Sequence, residues 1–174
     1  MKREESLLVV IDIQGRLMPA IDQSDQVILN ASRLIEAARK LDVPIVVTEQ
    51  NPAGLGPTVE ALDVSDLTVI EKMTFDSSPA AGFSEAIGKE RDLIVVGCEA
   101  HVCVAQTVLG LLGQGRKVYV VEDGVGSRTQ SNKQAALHRM ASHGAELVTT
   151  EMVVFEWLAT AEHPDFKAIA RLIK

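Results

Sequence analysis

Aromatic side chains are almost missing from this 174-residue chain, which has four Phe, one Tyr and one Trp, 3% of the whole. A core made without them must be built from Val, Ile, Leu and Ala, the composition of a parallel sheet buried on both faces. Cysteine is equally scarce, with Cys98 and Cys103 alone. Two thiols five positions apart make no disulfide scaffold, and a reducing cytoplasm is the expected setting. No apolar run approaches the roughly 20 residues of a membrane span. The polar residues 1–6 ahead of the first run carry no signal-peptide pattern, so no membrane partner is expected. Positive charge is in deficit: 17 Lys and Arg against 24 Asp and Glu leave a formal net charge of −7, with no basic run. Phosphate backbones repel such a surface, which argues against a nucleic-acid partner. Glycine-rich phosphate loops are absent too, since Gly113-Gln114-Gly115 closes a helical segment rather than opening one. The histidines, His101, His138, His143 and His163, are scattered. Only His138 and His143 are close, and their spacing is not the i, i+4 of a helical zinc pair. No metal and no cofactor are expected.

What is present is ordinary for a globular domain, 47% hydrophobic and 24% charged, at a length that suits one domain over residues 1–174. Short apolar runs at 7–11, 45–47, 67–70, 93–96, 118–121 and 147–148 read as strands. Helical periodicity over 27–41, 83–88, 102–112 and 130–142 separates them, with a helix from about Met152 and another over 166–173 closing the chain. Six strands alternating with helices predict an α/β fold with a mainly parallel sheet. One irregular stretch, 49–64, holds Pro52, Gly54, Gly56 and Pro57 and is read as a functional loop or contact surface.

In open α/β sheets ligands bind beyond the carboxyl ends of the strands. That rule selects Asp12 and Gln14, then Thr48, Glu49 and Gln50, then Glu71 and Lys72, then residues 97–103, then Glu122 and Asp123. An acid, a lysine and a thiol, Asp12, Lys72 and Cys103, thereby converge on one rim. Cys103 sits between a strand end and a helix start, where backbone N–H groups lower a thiol pKa and can receive an oxyanion. The alternatives are a buried small hydrophobe for Cys103, a cap for Asp12 and a solvated Lys72. His101, inside the same turn, is a pocket candidate.

These residues resemble the isochorismatase-like cysteine hydrolases. Asp12-Ile13-Gln14 is similar to that family's opening motif, Glu71-Lys72-Met73-Thr74-Phe75 to its catalytic-lysine segment, and residues 97–107, GCEAHVCVAQT, to its nucleophile segment. Residues 48–58 and the tail Glu162-His163-Pro164-Asp165-Phe166-Lys167 resemble the isochorismatase domain-containing branch. The resemblance implies a three-layer α/β/α fold, Rossmann-like, with a six-stranded parallel sheet. It implies Cys103 as nucleophile, Asp12 as acceptor of its proton and Lys72 as the charge that positions the pair. The substrate is then a small amide or related carbonyl, hydrolysed through a thioester. The N–H groups of Glu99 and Cys103 would form the oxyanion hole beyond a cis Cys98–Glu99 peptide, with Glu99 acting through its backbone. Gln14, Gln50, Phe75 and His101 would line the pocket, and relatives are usually homo-oligomers. The metal-binding histidines of the family's nicotinamidases have no counterpart in Glu49-Gln50-Asn51-Pro52. The alternatives are vinyl ether hydrolysis with Asp12 as acid, and a non-catalytic interaction protein.

Overall fold

The computed structural model describes residues 1–173. Six strands, β1 (Ser6–Ile11), β2 (Ile45–Gln50), β3 (Thr68–Lys72), β4 (Asp92–Cys98), β5 (Val118–Gly126) and β6 (Glu146–Val148), form one sheet in the order β3-β2-β1-β4-β5-β6. Every pairing is parallel. The helices α1 (Ser24–Lys40), α2 (Pro52–Leu55), α3 (Phe83–Ile87), α4 (Ala105–Gly113), α5 (Gln130–Ser142), α6 (Thr150–Leu158) and α7 (Phe166–Ala170) connect or follow the strands.

Successive residues of a strand point to opposite faces, so a continuous apolar run supplies two cores at once. Leu8 and Val10 of β1 pack with Ala31 and Leu34 of α1 and Val153, Val154 and Trp157 of α6. Leu7, Val9 and Ile11 pack on the other face with Phe83 of α3, Val108 and Leu111 of α4, and Leu137 and Met140 of α5. The result is the expected α/β/α sandwich. Two aliphatic layers fill the space that aromatics fill elsewhere, with Trp157 and Phe83 as the large fully buried exceptions.

Strand ends are where sequence and structure part. Glu49, Gln50, Glu71 and Lys72 lie inside β2 and β3, because ladder hydrogen bonds continue past the last apolar residue. Glu122 and Asp123 also fall within β5, but the ladder steps from Val95–Val120 to Gly97–Val125, so a wide bulge carries them off the rim. Asp123 instead accepts from Thr150 N–H at 2.8 Å and Thr150 Oγ1 at 3.0 Å at the start of α6. The 49–64 stretch is partly regular, with α2 and a bridge between Gln14 and Thr58. Helical structure ahead of α4 begins at Ala100 and that near the C-terminus stops at Ala170, rather than at 102 and 173. Among the described residues no helix is long and apolar enough to cross a membrane.

Gly97 shows how tightly the central strands meet. Its φ is +131°, and a Cβ there would stand 2.0 Å from the Ile11 carbonyl oxygen. Gly113, at the exposed end of α4, has open space around it. Gly97→Ala is therefore expected to lose more than about 4 kcal/mol in urea denaturation, the range of severe backbone and core clashes. Gly113→Ala should change stability by no more than about 1 kcal/mol.

Candidate active site

The strand order reverses between β1 and β4, and the crevice outside their carboxyl ends is the usual ligand position of such sheets. Asp12 leaves β1 with φ +52°, a left-handed conformation in which Asp is among the tolerated residues. Its N–H stays anchored to Thr48 O at 3.1 Å, so the side chain turns back over the sheet edge. There Oδ1 accepts from Thr48 Oγ1 at 2.7 Å, and Oδ2 accepts from Lys72 Nζ at 2.7 Å. Adjacent registers, Ile11 beside Thr48 and Gln50 beside Lys72, bring the three strand ends together. The Asp12 and Lys72 side chains are 0% and 1% exposed. Lys72 directs its remaining donors at Thr74 O, 3.2 Å, and Phe75 O, 3.1 Å, so the buried ammonium has a partner for each proton.

Cys103 stands close enough to this pair that both charges act on its thiol. It lies in a single wide π-type turn, Ala100–Val104, that precedes α4. Such turns are frequent at functional sites. The Glu99 carbonyl accepts from Val102 N–H at 3.0 Å and Val104 N–H at 3.2 Å, which holds the turn in place. The Cys98–Glu99 peptide is cis, as the resemblance implied.

The thiol pKa corrects the sequence expectation. Cys103 is pushed up to about 12, chiefly by burial and next by the Asp12 charge, against the opposing pull of Lys72. Position at a helix start argued for a lowered value, but desolvation of a side chain in a residue only 6% exposed outweighs it. Cys98, fully buried, is also raised, chiefly by burial.

The remaining candidates separate. Gln14 is wholly buried and its amide is engaged by backbone, donating to Gln50 O and Gly56 O and accepting from Gln50 N–H. It holds the loop that follows α2. Glu49 is likewise tied to Thr58, N–H and hydroxyl both at 2.7 Å. Gln50 donates to Met73 O at 2.9 Å, and Phe75 is half-exposed. His101 contacts Ser127 Oγ through Nδ1 at 3.0 Å. Glu99 is buried and bound by Arg128, whose guanidinium holds its carboxyl below the usual carboxylate range. Sequence reading missed Arg128 and Ser127, because they follow a strand that continues beyond its apolar run. Among the described residues no three His, Cys, Asp or Glu side chains are grouped as metal ligands.

Two measurements check this geometry. The rate of Cys103 modification by iodoacetamide should climb about tenfold per pH unit through pH 10 without levelling, because only the thiolate reacts. A plateau near the ordinary thiol value of about 8.5 contradicts it. Lys72→Met should destabilise the fold by about 3–5 kcal/mol, the cost of stranding a buried charge, and adding Asp12→Asn should restore part of that loss.

Comparison with known proteins agrees with this architecture. A family model described as "Isochorismatase domain" matches residues 6–152. Mouse isochorismatase domain-containing protein 2A is 38% identical over 173 residues, covering 98% of this chain and 84% of that protein. A Caenorhabditis elegans structure described as MAR1 ribonuclease superposes with TM-score 0.93 at 36% identity, covering 99% of this chain and 91% of that one. Two YcaC structures are each 25% identical over 99% of this chain. That of Pseudomonas aeruginosa, with covalent acrylamide, has TM-score 0.87 and is 95% covered; that of Escherichia coli, an octameric hydrolase of unknown specificity, has 0.92 and is 88% covered. By the extent of these matches and by its fold, the chain belongs to the isochorismatase-domain family.

Proposed function

We propose that the chain is a cysteine hydrolase that cleaves a small amide or related carbonyl compound through a thioester on Cys103. Family membership supports a hydrolase in general. The observation that carries the specific chemistry is the raised thiol of Cys103 beside the buried Asp12–Lys72 pair. A nucleophile at rest as a thiol needs a base at the moment of attack, and the Asp12 carboxylate is the group beside it.

Attack on the carbonyl carbon forms the S–C bond as the thiol proton passes to Asp12. The electron pair displaced onto oxygen is received by the N–H groups of Glu99 and Cys103. Collapse re-forms the carbonyl and breaks the C–N bond, with the proton returned from Asp12 to the leaving amine. Water, deprotonated by Asp12, then cleaves the thioester to the free acid and restores the thiol. Lys72 holds Asp12 in place throughout. Gln50, Phe75 and His101 border the crevice as substrate contacts, and Gln14 supports them by fixing the loop.

Vinyl ether hydrolysis has less support, since it leaves Cys103 without a role. An RNA substrate is disfavoured by the net charge of −7 and by a lysine already consumed by Asp12. Assembly of several copies is part of the reading, by analogy with the octameric relative, and light scattering of the purified chain should give a mass of several chains.

A screen of small amides, carbamoyl compounds and hydroxamates should yield a substrate whose turnover disappears in Cys103→Ala. Removing a nucleophile that acts with its base typically costs about 10⁶ in rate. Acrylamide, itself a small amide, should form its adduct on Cys103 and leave Cys98 unmodified. Turnover that survives Cys103→Ala and is lost in Asp12→Asn would move the assignment to the ether reaction.

A further inference from the structure

A second buried carboxylate, that of Glu99, lies immediately before the turn that carries Cys103, and the reaction above does not use it. Glu99 is 6% exposed. Arg128 meets it with three donors: the backbone N–H at 3.1 Å and Nε at 3.0 Å to Oε2, and Nη2 at 2.7 Å to Oε1. Arg128 stands two residues beyond the end of β5 at Gly126, and its own side chain is 58% exposed. The residue between them, Ser127, contacts His101 Nδ1 at 3.0 Å, and Asn132 of α5 approaches His101 Nε2 at 3.4 Å. The segment after β5 therefore grips the nucleophile turn at Glu99, just before it, and at His101, inside it.

We infer that Arg128 is a positioning residue for Cys103, acting through Glu99. The inference rests on the reading of Cys103 as nucleophile. The same residue whose carboxylate Arg128 clamps also offers the carbonyl on which Val102 and Val104 close the turn. Moving the Glu99 side chain moves that carbonyl, and with it the segment that keeps Cys103 against Asp12. Without Arg128, a carboxylate buried beside the turn loses its counter-charge and must move to water or take up a proton. The pair is a two-point fork, which fixes orientation as a single charge contact does not. Arg128 holds the Glu99 pKa down, so the carboxylate is ionised well below neutral pH. The clamp is intact above the unfolded value of about 4.3 and fails only as pH falls through the lower folded value. It does not titrate over the range in which Cys103 is followed. Glu99 therefore acts through its side chain as well as its backbone, contrary to the sequence expectation.

The test uses the full chain with Arg128→Ala, Arg128→Lys and Glu99→Gln, and Gln134→Ala on the exposed side of α5 as control. Iodoacetamide modification of Cys103 is followed from about pH 6 to 10, alongside backbone hydrogen exchange and urea unfolding. With the turn loosened, Cys103 should titrate closer to a free thiol. Arg128→Ala then raises its modification rate at pH 8 by at least about tenfold, equivalent to one pKa unit. Exchange at Val102 and Val104 should quicken while α4 beyond Leu111 is unchanged. Arg128→Lys should fall between wild type and Arg128→Ala, because a lysine keeps the charge without the fork. Glu99→Gln should follow Arg128→Ala, and Gln134→Ala should match wild type. If Arg128→Ala lowers the urea midpoint but leaves the Cys103 profile and the exchange at Val102 and Val104 as in wild type, the pair is only a stability contact and the inference is overturned. If the wild-type chain gives no Cys103-dependent turnover, the nucleophile reading fails by itself, and the exchange data still decide whether Arg128 holds the turn.

Discussion

Everything at the carboxyl edge of the sheet depends on one buried ion pair, Lys72 with Asp12. Removing two charges from water is costly, and the attraction between them offsets that cost only where every remaining donor and acceptor has a partner. Three strands cooperate to meet the condition. β1 supplies the acid, β2 the Thr48 hydroxyl, and β3 the lysine, while the chain just after β3 turns two carbonyls toward the ammonium. The strand order is thus as much a part of the site as the side chains. The acid just after β1 reaches a lysine two strands away, while a threonine of the intervening strand donates to its other oxygen.

The same pair also acts on the Cys103 thiol, second to its burial. A carboxylate beside a buried sulfur disfavours the thiolate, and a lysine engaged with that carboxylate compensates only in part. The arrangement suits a nucleophile that gives up its proton during attack rather than before it. Helix-start position and burial act in opposite directions on Cys103, and burial is the larger in a residue only 6% exposed.

Much of this is legible in the residues. Continuous apolar runs such as Leu93-Ile94-Val95-Val96 can be satisfied only between two helical layers, so the α/β/α order follows from them. The rim rule selects Asp12 and Lys72 because they stand one and two residues beyond such runs, and Cys103 because it lies in the turn that follows Val96. Strand ends are not legible, since Gln50 and Lys72 keep pairing through backbone groups that carry no hydropathy signal. The bulge that withdraws Asp123 and the extension that delivers Arg128 belong to the same strand, and both lie beyond its last apolar residue, Val121, in the initial run. Nor does a helix-start position reveal how deeply a thiol is buried, which is why the direction of the Cys103 shift does not follow from sequence. The Glu99–Arg128 contact joins residues 29 positions apart, and nothing in either segment names the other.

The protonated resting state of Cys103 has a consequence for durability. Peroxides convert thiolates, not thiols, to sulfenic and then irreversibly to sulfinic acids. A sulfur kept neutral, 6% exposed and next to a negative charge offers such oxidants almost no thiolate at neutral pH. Many cysteine enzymes store a reactive anion and rely on cellular reductants to preserve it. Under the proposed mechanism the nucleophile is generated only on demand, so the resistance of Cys103 to oxidation comes from protein packing rather than from a supply of reductant.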